Sequence, residues 1–353
     1  MNAEHATQLR MIGESAADFA AANGGSARAR RVHEGAPAWD GAGWQAIADM
    51  GWLGIAVPES RGGLALGAAA VAVVAEQAGR ALMTAPLTMG IAAASLLAAC
   101  DGSGGNDAAD STLTQLIAGQ AHLTLATASP APKGGWRAAV VPDGDAASQW
   151  LIGSGRGDGF SARALRFDGP GIARSARTAV DGSVLADVAI DAAAWADAPR
   201  WLSGSTGEAA WQRATNLLRL GDAAYLCGLM DAALQLALDH LRLRRQFGVP
   251  IGSFQALQHR ATDCHVDVTA TRALVYEAAR AFGTAGEHWA ASASVQRASA
   301  AALRVTQAVV QFHGAIGFAD EHDAGLYLRR AMTVGARHAE TALADLLAQA
   351  RPD

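Results

Sequence analysis

Residues Arg244 to Gln255 read RRQFGVPIGSFQ: two guanidinium groups, a glutamine, an aromatic ring and a Gly-Val-Pro break, set directly behind a long helical stretch. A guanidinium makes forked, charge-assisted hydrogen bonds to phosphate. Gln246, Phe247 and Gln255 would add polar and flat apolar contacts to the rest of a nucleotide. The same position permits a plainer role. In the last turn of a helix ending near Gly248, with Pro250 opposing continuation, Arg244 would interact with the negative helix end. On position alone both readings stand.

The elements that must hold this stretch fall into three zones. Up to about Cys100, Ala-rich helical patterns dominate (Glu4 to Ala21, Trp44 to Met50, Ala68 to Leu82, Thr88 to Cys100), broken by Gly and Pro. A loop of linker composition follows, Asp101 to Asp110. Between Leu113 and Trp201 the pattern shortens to strand-sized runs (HLTLATA, WRAAVV, WLIGSG, ALRFDG, ADVAI) separated by turns such as PDGD and DGPG. From about Gly207 long helices return. Leu226, Met230, Ala233, Ala237 and Leu241 mark one helix face, and further segments run over Phe254 to Phe282, Ala290 to Phe312 and Tyr327 to Ala350. Long helices with short breaks predict a four-helix bundle. The expected class is α+β and mostly α, with an N-terminal helical domain (1–112), a middle small β domain (113–206) and a C-terminal four-helix bundle (207–353).

Composition excludes several classes. Half-hydrophobic content (51%) with 17% charged residues describes a globular chain. The net charge is −5, and Lys133 is the only lysine; no dense basic stripe for nucleic acid is present. The longest apolar run, Leu64 to Ala75, is too short for a membrane span, which needs about 20 residues. Cys100, Cys227 and Cys264 follow no metal or redox spacing, so no metal site is expected. With acids early and no apolar h-region at the start, the expected setting is cytoplasmic.

Four stretches, in this order, resemble the acyl-CoA dehydrogenase family. VPESRGGLALG (Val57 to Gly67) is similar to its VPEEYGGLG turn, and EQAGRAL (Glu76 to Leu82) follows at the usual distance. Arg244 to Ile251 with Phe254-Gln255 is similar to its R-x-Q-F-G-x-P-I…F-Q element, and the spacing to the glutamine selects Arg244 over Arg245. QFHGAIGF (Gln311 to Phe318), followed by Asp320, Glu321 and Arg329, is similar to its Q-x-x-GGxGY element, with Ala315 in place of the second glycine. The resemblance implies FAD, an acyl-CoA substrate, a tetramer of itself or with a homologous subunit, and electron-transfer flavoprotein as an acceptor. It also implies that Arg244, Gln246, Phe247, Gln255, Gln311, Gly314 and Ala315 serve a neighbouring subunit's FAD. Arg219 matches a family arginine close to the active site; its plainer alternative is a surface ion pair.

Two departures from the family pattern matter. An ungapped count from Gln311 places the family's catalytic glutamate on His338, and the alternative location on the first bundle helix falls on Leu218. Glu340 lies two residues beyond His338, so His338 and Glu340 are the candidate bases in this chain. The family's T-E-P-x-x-G-S-D segment is replaced by LATASPAPKGGW, with Ala128-Ser129 at the acidic place and a shortened path to Trp136. These departures imply the accessory, non-base subunit of a heteromeric acyl-CoA dehydrogenase, some of which act on bulky steroid- or ring-derived thioesters. Two alternatives stay open: a self-sufficient flavin oxidase or monooxygenase with an unusual base, and a non-catalytic scaffold.

Overall fold

The Ala-rich segments at the start of the chain form α1 (Ala3–Asn23), α2 (Ser26–His33), α3 (Gly41–Asp49), α4 (Gly67–Arg80), α5 (Leu87–Ala98) and α6 (Asp107–Ile117). The computed structural model describes residues 3–100, 107–132, 134–142 and 147–349. Eight strands with one short helix follow: β1 (Leu123–Thr127), β2 (Ser129–Pro130), β3 (Trp136–Pro142), β4 (Gln149–Ser154), β5 (Ser161–Leu165), β6 (Ile172–Thr178), β7 (Val184–Ile190), α7 (Ala192–Asp197) and β8 (Arg200–Ser203). The bundle comprises α8 (Gly204–Leu243), a hairpin of β9 (Arg245–Gln246) and β10 (Val249–Pro250), then α9 (Gln255–Ala281), α10 (Glu287–His313), α11 (Ala324–Ala336) and α12 (Ala339–Gln349). The helix, β, four-helix-bundle order expected from the sequence is the order observed, and the three sequence ranges remain our proposed division by element type. No helix among the described residues is long and apolar enough to cross a membrane.

The described chain divides into two compact units. The first draws on Met1–Gly35, Ala68–Thr84 and Arg219–Asp353. Leu226, Met230, Ala233, Ala237 and Leu241 are all buried on one face of α8, as their spacing requires. α10 packs against α9, α11 and α12. α4 and α8 meet backbone to backbone: a methyl added at Gly79 would strike the Tyr225 carbonyl, and one at Gly228 the Glu76 carbonyl. That contact is fastened by a partly buried polar network centred on Glu76. Arg272 donates from Nε to Glu76 Oε1 at 2.8 Å and from Nη2 to Asp231 Oδ2 at 2.7 Å; Arg80 also pairs with Asp231, and Tyr276 donates to Glu76 Oε2 at 3.1 Å. The EQAGRAL stretch is thus a packing device.

The second unit holds Ala36–Gly67 and Ala85–Leu218. Its sheets run β1-β4-β5-β8, with β1 and β4 parallel, and β2-β3-β7-β6, antiparallel throughout. Trp150, Ile152, Val188, Ile190 and Trp195 fill a core beside them, and Trp136 packs against it with its ring 4.8 Å from that of Trp195. The VPESRGG turn is held by Arg61, which donates to Asp110 Oδ1 at 2.5 Å and the Cys100 carbonyl at 3.2 Å, and its Gly62 has φ 81°. A side chain there would be strained, so that stretch too is explained by local architecture.

Three local readings change. Residues 107–117 are helical where a loop and a strand onset were expected; residues 101–106 of that loop lie outside the described residues. The polar run Asp107–Thr112 hides its helix from a composition reading, but Ala109, Leu113 and Leu116 line one buried face. Helix α8 stops at Leu243, earlier than the expected end near Gly248, because a hairpin takes over. The fourth bundle helix is two helices, α11 and α12, broken at Arg337 and His338, where the amides bond back three residues to Val334 and Gly335.

Candidate active site and cofactor clamp

The hairpin is built around Phe247 and Gly248, whose φ values are 51° and 82°. Two successive positive φ values match the right-handed twist of the flanking strands, the geometry of a type I′ turn. Gln246 pairs with Val249, and Arg245 with Pro250. Arg245 donates from Nη2 to the Gly248 carbonyl at 2.8 Å, stapling its own turn. Arg244 differs from its neighbour, being exposed and making no guanidinium hydrogen bond among the described residues. The choice of Arg244 over Arg245 made on sequence spacing therefore coincides with which guanidinium is left uncommitted. Phe247, at the tip, is 92% exposed, with only the edge contact of Phe254 at 6.2 Å.

Beside the hairpin stands the turn after α10. Gly314 has φ 64° and nothing within 4 Å of where a Cβ would be, so its backbone faces open space. The His313 ring lies 4.5 Å from that of His240, tilted by 39°, one turn before Arg244, which ties the end of α8 to this turn. Gln246, Gln255, Gln311 and Ala315 are exposed, and the three glutamines spend no side-chain hydrogen bond among the described residues. The structure thus presents Arg244, Phe247 and the Gly314 turn as an exposed set joined through the ends of α8 and α10. An uncommitted cation, a flat ring and an uncovered backbone fit a phosphate-bearing, ring-bearing group such as FAD.

The base position has the opposite character. His338 sits at the break between α11 and α12, only 6% exposed, and its Nε2–H donates to Asp222 Oδ2 at 2.8 Å. Asp222 is 2% exposed and also lies 3.6 Å from Arg337. Leu218, one turn before Asp222 on α8, is buried. Arg219 is committed as well: it donates to Asp345 Oδ2 of α12 at 2.7 Å and to Ser292 Oγ of α10 at 2.9 Å, and its Nη1 lies 3.4 Å from His288 Nδ1. Burial, then Arg219, holds His288 below its ordinary pKa against the opposing pull of Asp345. Arg219 is ion-paired, but it is buried and not at the surface as the plainer alternative had it. Glu340 belongs to α12, with its side chain outside the described residues. The sequence reading missed Asp222 and Asp345. Asp222 lies three residues after Arg219, on the same side of α8, which is the only local signal that charge is gathered there. No group of three or more His, Cys, Asp or Glu among the described residues is arranged to hold a metal.

Family models match both ends of the chain: "Acyl-CoA dehydrogenase, N-terminal domain" over residues 6–120 and "Acyl-CoA dehydrogenase, C-terminal domain" over residues 206–336. The acyl-CoA dehydrogenase IpdE2 of Mycobacterium tuberculosis is 30% identical over 346 residues, covering 92% of this chain and 91% of that one. Three other relatives align over only about a third of this chain and about a third of their own length. Among solved structures, a Tcur3481-Tcur3483 steroid acyl-CoA dehydrogenase variant superposes with a TM-score of 0.83 at 26% identity, covering 98% of this chain and 99% of that one. The ChsE4-ChsE5 complex from Mycobacterium tuberculosis gives a TM-score of 0.81 at 22% identity, covering 100% and 99%.

Proposed function

Because the chain belongs to the acyl-CoA dehydrogenase family, we propose that it serves FAD-dependent α,β-dehydrogenation of an acyl-CoA thioester as the non-base subunit of a heteromeric enzyme. The observation that carries this reading is a contrast between commitments. The polar groups at the expected catalytic positions, His338 and Arg219, are spent on a buried pair with Asp222 and a part-buried one with Asp345. The residues expected to serve a neighbour's cofactor are exposed, and Arg244 is uncommitted.

FAD, when bound, supplies the acceptor for the hydrogen that leaves the β carbon as hydride. The chain's own residues would do the holding. Arg244 would fork onto the pyrophosphate, Phe247 would lie against a flat ring, and the bare backbone at Gly314 would admit the nucleotide closely. Removal of the α proton needs a base within reach of that carbon, a carboxylate in the pattern the sequence resembles. On this reading it comes from the homologous subunit, since neither 218 nor 338 holds one. The shortened Ala128 to Trp136 segment agrees, because Trp136 is drawn toward the β-sheet core beside Trp195. The names of the two solved neighbours, each joining two components and one describing a steroid enzyme, support a paired assembly and a bulky ring-bearing thioester.

One observation favours a second reading. A carboxylate that accepts from one imidazole nitrogen is also how an oriented histidine base is built, so Asp222 would make His338 a base in a self-sufficient flavoenzyme. Native mass and the visible spectrum separate the two. A chain that is colourless or unstable alone, and yellow and heteromeric with a homologous subunit, fits the first; a yellow homo-oligomer with turnover fits the second.

A further inference from the structure

His313 closes α10 immediately before the Gly314 turn and is buried between two other imidazoles. Its ring lies 4.5 Å from that of His240 on α8 and 4.4 Å from that of His322, just before α11. His240 accepts the Arg244 amide on its carbonyl at 2.9 Å, so the stack runs from the root of the hairpin through the turn to the next helix. Neither the family motif nor the mechanism above uses this stack.

The hydrogen bonds fix where the protons are. His313 Nδ1 is 2.8 Å from the Val309 carbonyl, which can only accept, so Nδ1 carries the hydrogen. His322 Nδ1 accepts from the Ala324 amide at 3.1 Å, so that nitrogen must be bare; a proton there would break a bond at the start of α11. The charged surroundings add little to favour protons. Arg244 faces His240 from the hairpin, and Arg30 of α2 faces His322. The acid nearest His322, Asp323, already pairs with Arg30 at 2.6 Å. Asp320, farther out, is shared by His33 at 3.8 Å and Arg329 at 3.1 Å, and Arg260 of α9 covers the neighbouring Phe312 ring.

We propose that His313 is a positioning residue of the cofactor clamp, and that the two imidazoles flanking it, His240 and His322, make its grip proton-sensitive: firm while they are neutral, loosened when they charge. The inference rests on the reading that Arg244 and the Gly314 turn hold a cofactor. Burial first, then the neighbouring imidazoles, keeps His240 and His322 below the ordinary histidine value. For groups shifted down, the stabilisation is fully present above the unfolded value of about 6.5 and is lost as pH falls below it. The clamp should therefore hold at neutral pH and open in mild acid.

The test follows flavin release from the purified flavin-bound assembly between pH 7.5 and 5. His322→Asn keeps an acceptor for the Ala324 amide but cannot charge, and His240→Gln removes the second proton site. Wild type is expected to release flavin below about pH 6.5, and the variants to hold it about one pH unit lower. Superimposable profiles for wild type and variants would overturn the inference. Arg244→Ala at pH 7.5 tests the underlying reading separately: retained flavin there would remove the clamp itself. Imidazole NMR titration of the chain needs no flavin. Midpoints for His240 and His322 that depend on each other and lie below the ordinary histidine value are expected, and independent ordinary midpoints for these two would overturn the inference whatever the variants do.

Discussion

His338 and Asp222, 116 residues apart in sequence, meet through one 2.8 Å hydrogen bond between side chains that are 8% and 2% exposed. The pair occupies the place where the family resemblance puts a catalytic glutamate. Removing one member leaves a buried charge or donor without its partner. Asp222→Ala is expected to cost about 3 kcal/mol in chemical denaturation. His338→Glu sets two buried carboxylates together and should destabilise similarly, and adding Asp222→Asn should recover much of that loss. Additive single and double variants would show that the two do not interact.

Phe247 carries a positive φ that a β-carbon resists, at a tip where it buries almost nothing. Phe247→Gly should leave the isolated chain equally stable or firmer by up to about 1 kcal/mol. The same change should weaken flavin retention in the assembly. A thermal melt beside a flavin titration checks both halves.

Arg244 and Arg245 are adjacent and chemically identical, but among the described residues only the Arg245 guanidinium bonds within the hairpin. Arg244→Ala should lower flavin affinity at least tenfold with the melting temperature unchanged, since a charge-assisted forked contact contributes about 1.5–3 kcal/mol. Arg245→Ala should act mainly on stability.

The thiols of Cys227 and Cys264 are pushed up to about 12 and about 11, in both cases chiefly by burial, with Glu76 adding to the first and Asp267 to the second. Both should resist iodoacetamide at pH 8 in the native protein and react once it is unfolded, which peptide mass mapping after alkylation would record.

Much of the fold was legible because periodicity reports burial directly. The Leu226 to Leu241 face and the alternation of short apolar runs translate into a buried helix face and buried strands. Helix α6 was not, because its first turns are Asp, Ala, Ser and Thr, and its apolar face is only three residues. The break before α12 was also hidden, since Arg337 and His338 carry no breaker signal and the turn accompanies a pairing with Asp222 on another helix. The proposed clamp residues were readable as two short motifs, Arg244 to Gln255 and Gln311 to Ala315. The pairs that consume His338 and Arg219 join residues 116 and 126 positions apart, and a single sequence holds no mark of such a pairing.

The most direct test of the central claim is exchange of the acyl-CoA α proton, which reports a working base independently of hydride transfer. The purified chain, supplied with FAD, is incubated in D2O with a straight-chain and a ring-bearing acyl-CoA, alone and with its homologous subunit. The account predicts no exchange above the uncatalysed rate from the chain alone, exchange with the subunit present, and no effect of His338→Gln on that exchange once assembly is confirmed. Exchange by the chain alone that is abolished by His338→Gln would contradict it and make His338 the base.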